Sequence, residues 1–186
     1  YDDYHKDQVI ASLLNGKHVF VEKPLCLDNK ELTSIVKIMR KNRFLKVSSN
    51  LILRMCPRFI ELRKRIKSGE LGQIFHMESS YDYGRLQKLT DGWRGEISNY
   101  SVTLGGGIQL IDLISWISGE KFHEVFAYGN DLSTRGSSFS GNSLTSAILK
   151  SASGCTTIIT SNFGSVAPHH HKLAVYGTNG TFEQSL

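Results

Sequence analysis

The stretch YHKDQVIASLLNGKHVFVEKPL, Tyr4 to Leu25, decides how the chain is read. Val9, Ile10, Leu13 and Leu14 recur at helical spacing between Tyr4 and Asn15, and Gly16 follows as a helix stop. A short apolar run, His18 to Val21, then breaks at Glu22-Lys23-Pro24. Such a run after a helix and a glycine predicts a buried parallel strand. Asp28 caps the next helix, with Glu31 three positions on as in a capping box. Leu32, Ile35, Val36 and Ile38 give that helix its stripe to about Met39, and Lys37, Arg40 and Lys41 suit its C-terminal dipole. Phe44–Val47 reads as a second strand. Helix, strand, helix, strand is the alternation of an α/β fold, here the later half of such a unit.

Beyond Asn50 the alternation stops. Pro57 opens a helix to Ser68 with Phe59, Ile60, Leu62 and Ile66 on its apolar stripe. A long strand follows from Leu71 to Gly84, then a polar and aromatic loop from Arg85 to Tyr100. Gly105-Gly106-Gly107 leads into a helix from about Ile108 to Ser118, closed by Gly119. Strand-like segments then succeed one another: Glu124–Tyr128, Ser143–Leu149, Thr156–Thr160, Leu173–Tyr176 and one opening at Thr181. With no helices between them, they predict a mainly antiparallel open sheet with helices on one face. The chain is thus expected to divide into residues 1–49, α/β, and 50–186, α+β.

Composition narrows the classes of function. The chain has 186 residues, 40% of them hydrophobic, which excludes a disordered chain or a coiled-coil rod. Its net charge of +5 is spread along the chain and argues against nucleic acid as a partner. No apolar run is long enough to cross a membrane. Three scattered cysteines, Cys26, Cys56 and Cys155, make neither a zinc spacing nor a disulfide framework. They suit a reducing compartment and predict a cytoplasmic protein. His169-His170-His171 alternate faces on an extended segment and have no companion ligand motif, so no metal site is expected. One of His170 and His171 is expected to reach a substrate, with His170 carried as the candidate.

Several segments together resemble the Gfo/Idh/MocA oxidoreductases. GKHVFVEKPL (Gly16–Leu25) is similar to that family's most characteristic motif. LRMCPRFIELRKRIKSGELGQI (Leu53–Ile74) is similar to its lead into the second domain. WRGEISNYSVTLGGG (Trp93–Gly107), DLISWISGE (Asp112–Glu120) and HHHKLAVYGTNGTFE (His169–Glu183) follow in the family's order. The resemblance covers nearly the whole chain. It implies that residues 1–49 are the end of a Rossmann-type NAD(P)-binding domain and that 50–186 bind substrate and form a homodimer or homotetramer through the sheet. The family's G-x-G-x-x-G fingerprint has no counterpart and is expected upstream of Tyr1, most of the NAD or NADP site with it. The implied substrate is a sugar, sugar nucleotide or cyclitol.

Oxidising such an alcohol removes a hydroxyl proton as hydride leaves the same carbon, so a proton acceptor must lie within hydrogen-bond reach. Lys23, ending a strand where α/β sheets bind ligands and held extended by Pro24, is the first candidate. Glu22, Pro24 and Asn50 join it as cofactor-side residues. By the family's pattern the usual catalytic His falls at Gln109, which hydrogen-bonds but does not titrate. Three consequences stay open: Lys23 acts alone; Tyr81, Tyr83, Tyr100 or a late-strand His substitutes; or the protein binds sugar and cofactor with little turnover. Arg54, Tyr81, Trp93, Arg94, Gln109, Asp112 and His170 are the candidate substrate contacts, and Arg54, Arg85 and Arg94 are compatible with a phosphorylated or nucleotide-linked sugar. Gly105–Gly107 reads either as a close backbone approach to an anionic ligand or as a plain turn. A non-catalytic sugar binder, an isolated dimerisation module and an NAD-dependent glycosidase remain rival readings.

Overall fold

A computed structural model describes residues 1–97 and 100–184. Ser98 and Asn99, inside the Trp93–Gly107 motif, and Ser185 and Leu186 lie outside the described residues. The chain divides into two compact units, Tyr1–Leu51 and Ile52–Leu186.

The first unit contains α1 (His5–Leu14), β1 (Val19–Val21), α2 (Asn29–Lys41) and β2 (Val47–Ser49). The strands pair in parallel, Val19 with Val47 and Val21 with Ser49. Val9 and Leu13 of α1, Ile35 of α2 and Leu45 form the core. The predicted cap is present: Asp28 Oδ1 accepts from the Glu31 amide at 2.8 Å, and Glu31 Oε2 accepts from the Leu27 amide at 2.8 Å. Strand β2 begins later than the predicted Phe44. The chain leaving α2 turns through Asn42–Leu45, where the Leu45 amide donates to the Asn42 carbonyl at 3.0 Å. That turn leaves Phe44 70% exposed.

The second unit opens with a 3₁₀ turn, Ile52–Met55, and α3 (Pro57–Lys67). Its strands are β3 (Ile74–Asp82), β4 (Phe122–Asn130), β5 (Leu144–Ser151), β6 (Thr156–Asn162), β7 (His170–Gly177) and β8 (Thr181–Glu183). They form one sheet in the order β4-β5-β6-β3-β7-β8. Every neighbouring pair is antiparallel except β3 and β6, which run parallel through the middle of the sheet. The succession of strands alone does not reveal that pair, because β6 returns to β3 only after a helix and the β4–β5 hairpin. The predicted loop of 85–100 contains two short helical turns, α4 (Gln87–Thr90) and α5 (Trp93–Glu96), the first anchored by fully buried Leu89.

Helix α6 (Ile108–Ser118) places Leu110, Leu113, Ile114 and Ile117 on one stripe, all buried. Each such burial contributes about 1.5–3 kcal/mol. The stripe joins Phe59 and Leu62 of α3 and Met77, Ile159, Leu173 and Val175 of the sheet in the main core. Gly119 ends α6 at φ +77°, a conformation that costs a glycine nothing sterically. Strand alternation sends Phe126, Tyr128 and Ile148 to the other, exposed face of the sheet.

Candidate functional site

The first unit holds the cofactor-side candidates at the carboxyl ends of its parallel strands. Lys23 follows β1, and its peptide bond to Pro24 is cis. Glu22 Oε2 accepts from the Lys23 amide at 3.3 Å, and Glu22 Oε1 accepts from Asn50 Nδ2 at 2.5 Å. Two of the residues expected to meet a nucleotide therefore bond each other across the strand ends. The Pro24 carbonyl is fixed from α1 by His5 Nδ1 at 2.7 Å. Ser49 Oγ, at the end of β2, is buried with no hydrogen-bond partner among the described residues. A buried hydroxyl next in sequence to Asn50, with the Lys23 donor and the Glu22 acceptor at the end of the paired strand, is a polar set that fits a nicotinamide dinucleotide.

In the second unit the candidate residues gather around the start of α6. Thr103–Gly107 is a π-helical turn continuous with α6, so the helix begins before the glycines, and all three glycines are buried. This corrects their reading as the exposed start of a helix facing an anion. Side chains of the protein occupy the space they leave. A Cβ on Gly106 would lie 2.5 Å from Tyr81 and 2.6 Å from Phe163; one on Gly105 would strike the Tyr100 hydroxyl, and one on Gly107 the Ser161 hydroxyl. The glycine run brings the helix down onto a floor of rings and hydroxyls.

That floor is aromatic. Tyr83 stacks on Phe163 with centroids 4.3 Å apart, Tyr81 lies 5.6 Å from Phe163 and 4.5 Å from His171, and His169 meets Tyr81 edge-on at 5.2 Å. Burial pushes the Tyr81 hydroxyl up to about 12 and the His171 imidazole down to about 4. Burial also lowers His169. At neutral pH Tyr81 is a protonated donor and His171 an uncharged imidazole.

The register of β7 on β3 decides the histidines. His171 aligns with Tyr81 and His170 with Asp82, so His171 shares the helix-side face with Tyr81 while His170 lies on the other. Of the two histidines offered by the sequence, His171 therefore meets the Tyr81 ring, with His169 beside it, and His170 does not share that face. The opposite face instead carries Asp82, which accepts from Asn162 Nδ2 at 3.1 Å and lies 3.3 Å from Lys172 Nζ.

Other candidates are engaged within the protein. Arg54 and Asp112 form a two-pronged ion pair, with Nε to Oδ2 at 2.6 Å and Nη2 to Oδ1 at 2.5 Å. The guanidinium that the sequence assigned to substrate is thus held by the carboxylate assigned beside it, and the pair raises the Arg54 pKa further. Trp93 packs against the core and meets Tyr100 edge-on at 6.3 Å. Arg94 lies over the Trp93 ring at 4.3 Å and donates from Nε to the Tyr100 hydroxyl at 3.2 Å. Gln109 sits on α6, 5% exposed. Phe163 and Ser161 were not anticipated. Only Phe163 carried a signal, as an aromatic next to a predicted strand end.

A parallel α/β unit followed by an α+β unit with a mainly antiparallel open sheet is the architecture of the Rossmann-type oxidoreductases with an added sheet domain. Residues 59–183 match the GFO/IDH/MocA C-terminal domain, and residues 2–49 match the oxidoreductase family's NAD-binding Rossmann fold. The chain belongs to the Gfo/Idh/MocA family. It is 31% identical over 134 residues to an inositol 2-dehydrogenase of Salmonella typhimurium, covering 68% of this chain and 36% of that enzyme. A myo-inositol 2-dehydrogenase structure from Lactobacillus plantarum superposes with a TM-score of 0.91 at 21% identity, covering 99% of this chain and 55% of that one. A scyllo-inositol dehydrogenase from Lactobacillus casei, with NAD(H) and scyllo-inositol bound, gives 0.85 at 20%, covering 100% and 55%. At those identities the structural likeness is one of fold. The chain spans about half the length of the structures it matches. Among the described residues, no helix is long and apolar enough to cross a membrane.

Proposed function

We propose that the protein is an NAD(P)-dependent oxidoreductase of secondary alcohols, acting on a cyclitol or sugar. The observation that carries this reading is Lys23, placed at the carboxyl end of a parallel strand inside the segment that matches an NAD-binding Rossmann fold. The nicotinamide, when bound, takes up or returns the hydride. Lys23 Nζ polarises the reacting hydroxyl as an ammonium donor, and as the free amine it takes the hydroxyl proton. Glu22 and Asn50 hold that strand end in place and take part in cofactor contact with Lys23 and Pro24. In the second unit Gln109, whose amide donates and accepts without titrating, and Tyr81, with its proton retained, are the hydrogen-bonding groups offered to a polyol.

The inositol dehydrogenases among the relatives make a cyclitol the first substrate to try. The exposed sheet face with Phe126, Tyr128 and Ile148 suits packing against a second copy, as a homodimer or homotetramer. Three unpaired cysteines are in keeping with a cytoplasmic location.

The test is to titrate the protein, expressed from its complete reading frame, with NADH and NADPH by calorimetry. NADH formation is then followed with myo- and scyllo-inositol. Tight binding of one nucleotide and turnover that disappears in Lys23→Met support the reading. A folded protein that binds neither nucleotide overturns it. A second reading, a sugar binder without turnover, is favoured by Gln109 standing where a titrating group is needed. It predicts that Gln109→His creates activity where the natural protein has none.

A further inference from the structure

Seven arginines lie between Ile52 and Leu186. Arg54, Arg65 and Arg135 are paired with Asp112, Glu70 and Asp131. Arg63 lies over Trp116 and donates to its carbonyl at 2.9 Å. Among the described residues, Arg58, Arg85 and Arg94 have no carboxylate partner. Each is instead backed by an aromatic ring: Arg58 by Phe59 at 4.8 Å, Arg85 by Tyr83 at 5.8 Å and Arg94 by Trp93 at 4.3 Å.

These three belong to the surroundings of the aromatic floor. Tyr83, under Arg85, is the ring stacked on Phe163, and Tyr100, bonded to Arg94, is the ring against Gly105. The charges of Arg85 and Arg94 bear on the Tyr81 hydroxyl, that of Arg85 on His169 and that of Arg58 on His171, and no carboxylate is among the charges bearing on any of the three. Asp82, the carboxylate between Tyr81 and Tyr83 in the sequence, is turned to the opposite face of the sheet and engaged there. A guanidinium stacked on a ring keeps its edge donors directed outward, in the fork that matches an oxyanion. A neutral polyol would use none of that charge.

We infer that the substrate carries an anionic oxygen group, a phosphate or a carboxylate, and that Arg85 and Arg94 grip it beside the Tyr81–Tyr83–Phe163 floor. The inference rests on the oxidoreductase reading for the sugar or cyclitol ring that bears the group. Arg54 has no part in it, its charge being paired with Asp112. His169 and His171, uncharged at neutral pH, offer hydrogen bonds to the same group without adding charge.

The experiment measures calorimetric binding and NAD⁺ reduction by the protein from its complete reading frame. The ligands are myo-inositol, myo-inositol 1-phosphate and glucuronate, at low and high salt. At least one acidic ligand is expected to bind about tenfold tighter than myo-inositol at low salt, and which one does so tells phosphate from carboxylate. Arg85→Gln, at an exposed position, is expected to remove most of that preference alone, and Arg94→Gln to deepen the loss. Equal or tighter binding of myo-inositol overturns the inference, as does a preference that survives both substitutions. A protein that reduces NAD⁺ with the neutral ring alone keeps the oxidoreductase reading and loses the arginine site. One that prefers the acidic ligand through Arg85 yet binds no nucleotide keeps the arginine site and loses that reading.

Discussion

The two units are built on unequal foundations. The first rests on four buried apolar side chains, Val9, Leu13, Ile35 and Leu45, and on two strands of three residues each. The second has a continuous core from Leu53 to Val175 and six paired strands. The chemistry is distributed the other way. The first unit carries the one titratable group proposed to move a proton, and the second carries the aromatic floor and the proposed arginine site.

The largest effect expected separates these roles. Lys23→Met lowers turnover by about 10²–10⁴, the range for removing a positioned proton acceptor, while thermal melting stays where it was. A melting shift as large as that of a core variant would mean Lys23 is structural. Ile35→Ala and Leu113→Ala delete comparable buried side chains, each at about 2–5 kcal/mol. Limited proteolysis should show the first unit cut in Ile35→Ala and the second still protected in Leu113→Ala. Equal protection of both units in the two variants would erase the contrast. Gly106→Ala pushes a methyl against Tyr81 and Phe163 and is expected to cost about 1–3 kcal/mol by urea denaturation.

Acid should weaken the second unit through His171. Its folded pKa, about 4, lies below the ordinary 6.5, so the unfolded chain takes up the proton first. The stability it supports is whole above pH 6.5 and is lost as pH falls through about 4. Between pH 7 and 5 the loss is about 1 kcal/mol after allowing for its partial exposure to solvent. His171→Phe should flatten that slope in urea melts at the two pH values. Smallest of all, Asp28→Ala removes the cap of α2 and costs about 1 kcal/mol, confined to the first unit.

Legibility followed the range of the contacts. The helix–glycine–strand grammar, the Asp28–Glu31 cap and the Glu22-Lys23-Pro24 strand end are local, and pattern and spacing report local structure well. The aromatic floor is not local. Tyr81 lies on β3, His171 on β7 and Phe163 just past the end of β6, brought together by a parallel pair and an antiparallel one whose registers no single segment encodes. Hence His170 was carried in place of its neighbour, since a shift of one residue reverses every face. Arg54 and Asp112, far apart in the chain, could each be picked out for charge, but their mutual pairing appears only in three dimensions. The glycine run was seen as a close approach, yet sequence could not say that rings of the protein itself occupy the space.

The parallel pairing of β3 with β6 sets the order in which the aromatic floor can come into being. Its rings are contributed by strands that meet only after the intervening helix and hairpin have been spooled out and returned. Closing so long a loop is entropically slow, and topologies rich in such contacts fold late. No fragment ending before Phe163 holds the floor. Stacking of Tyr83 on Phe163 during refolding would then track the arrival of β6 beside β3.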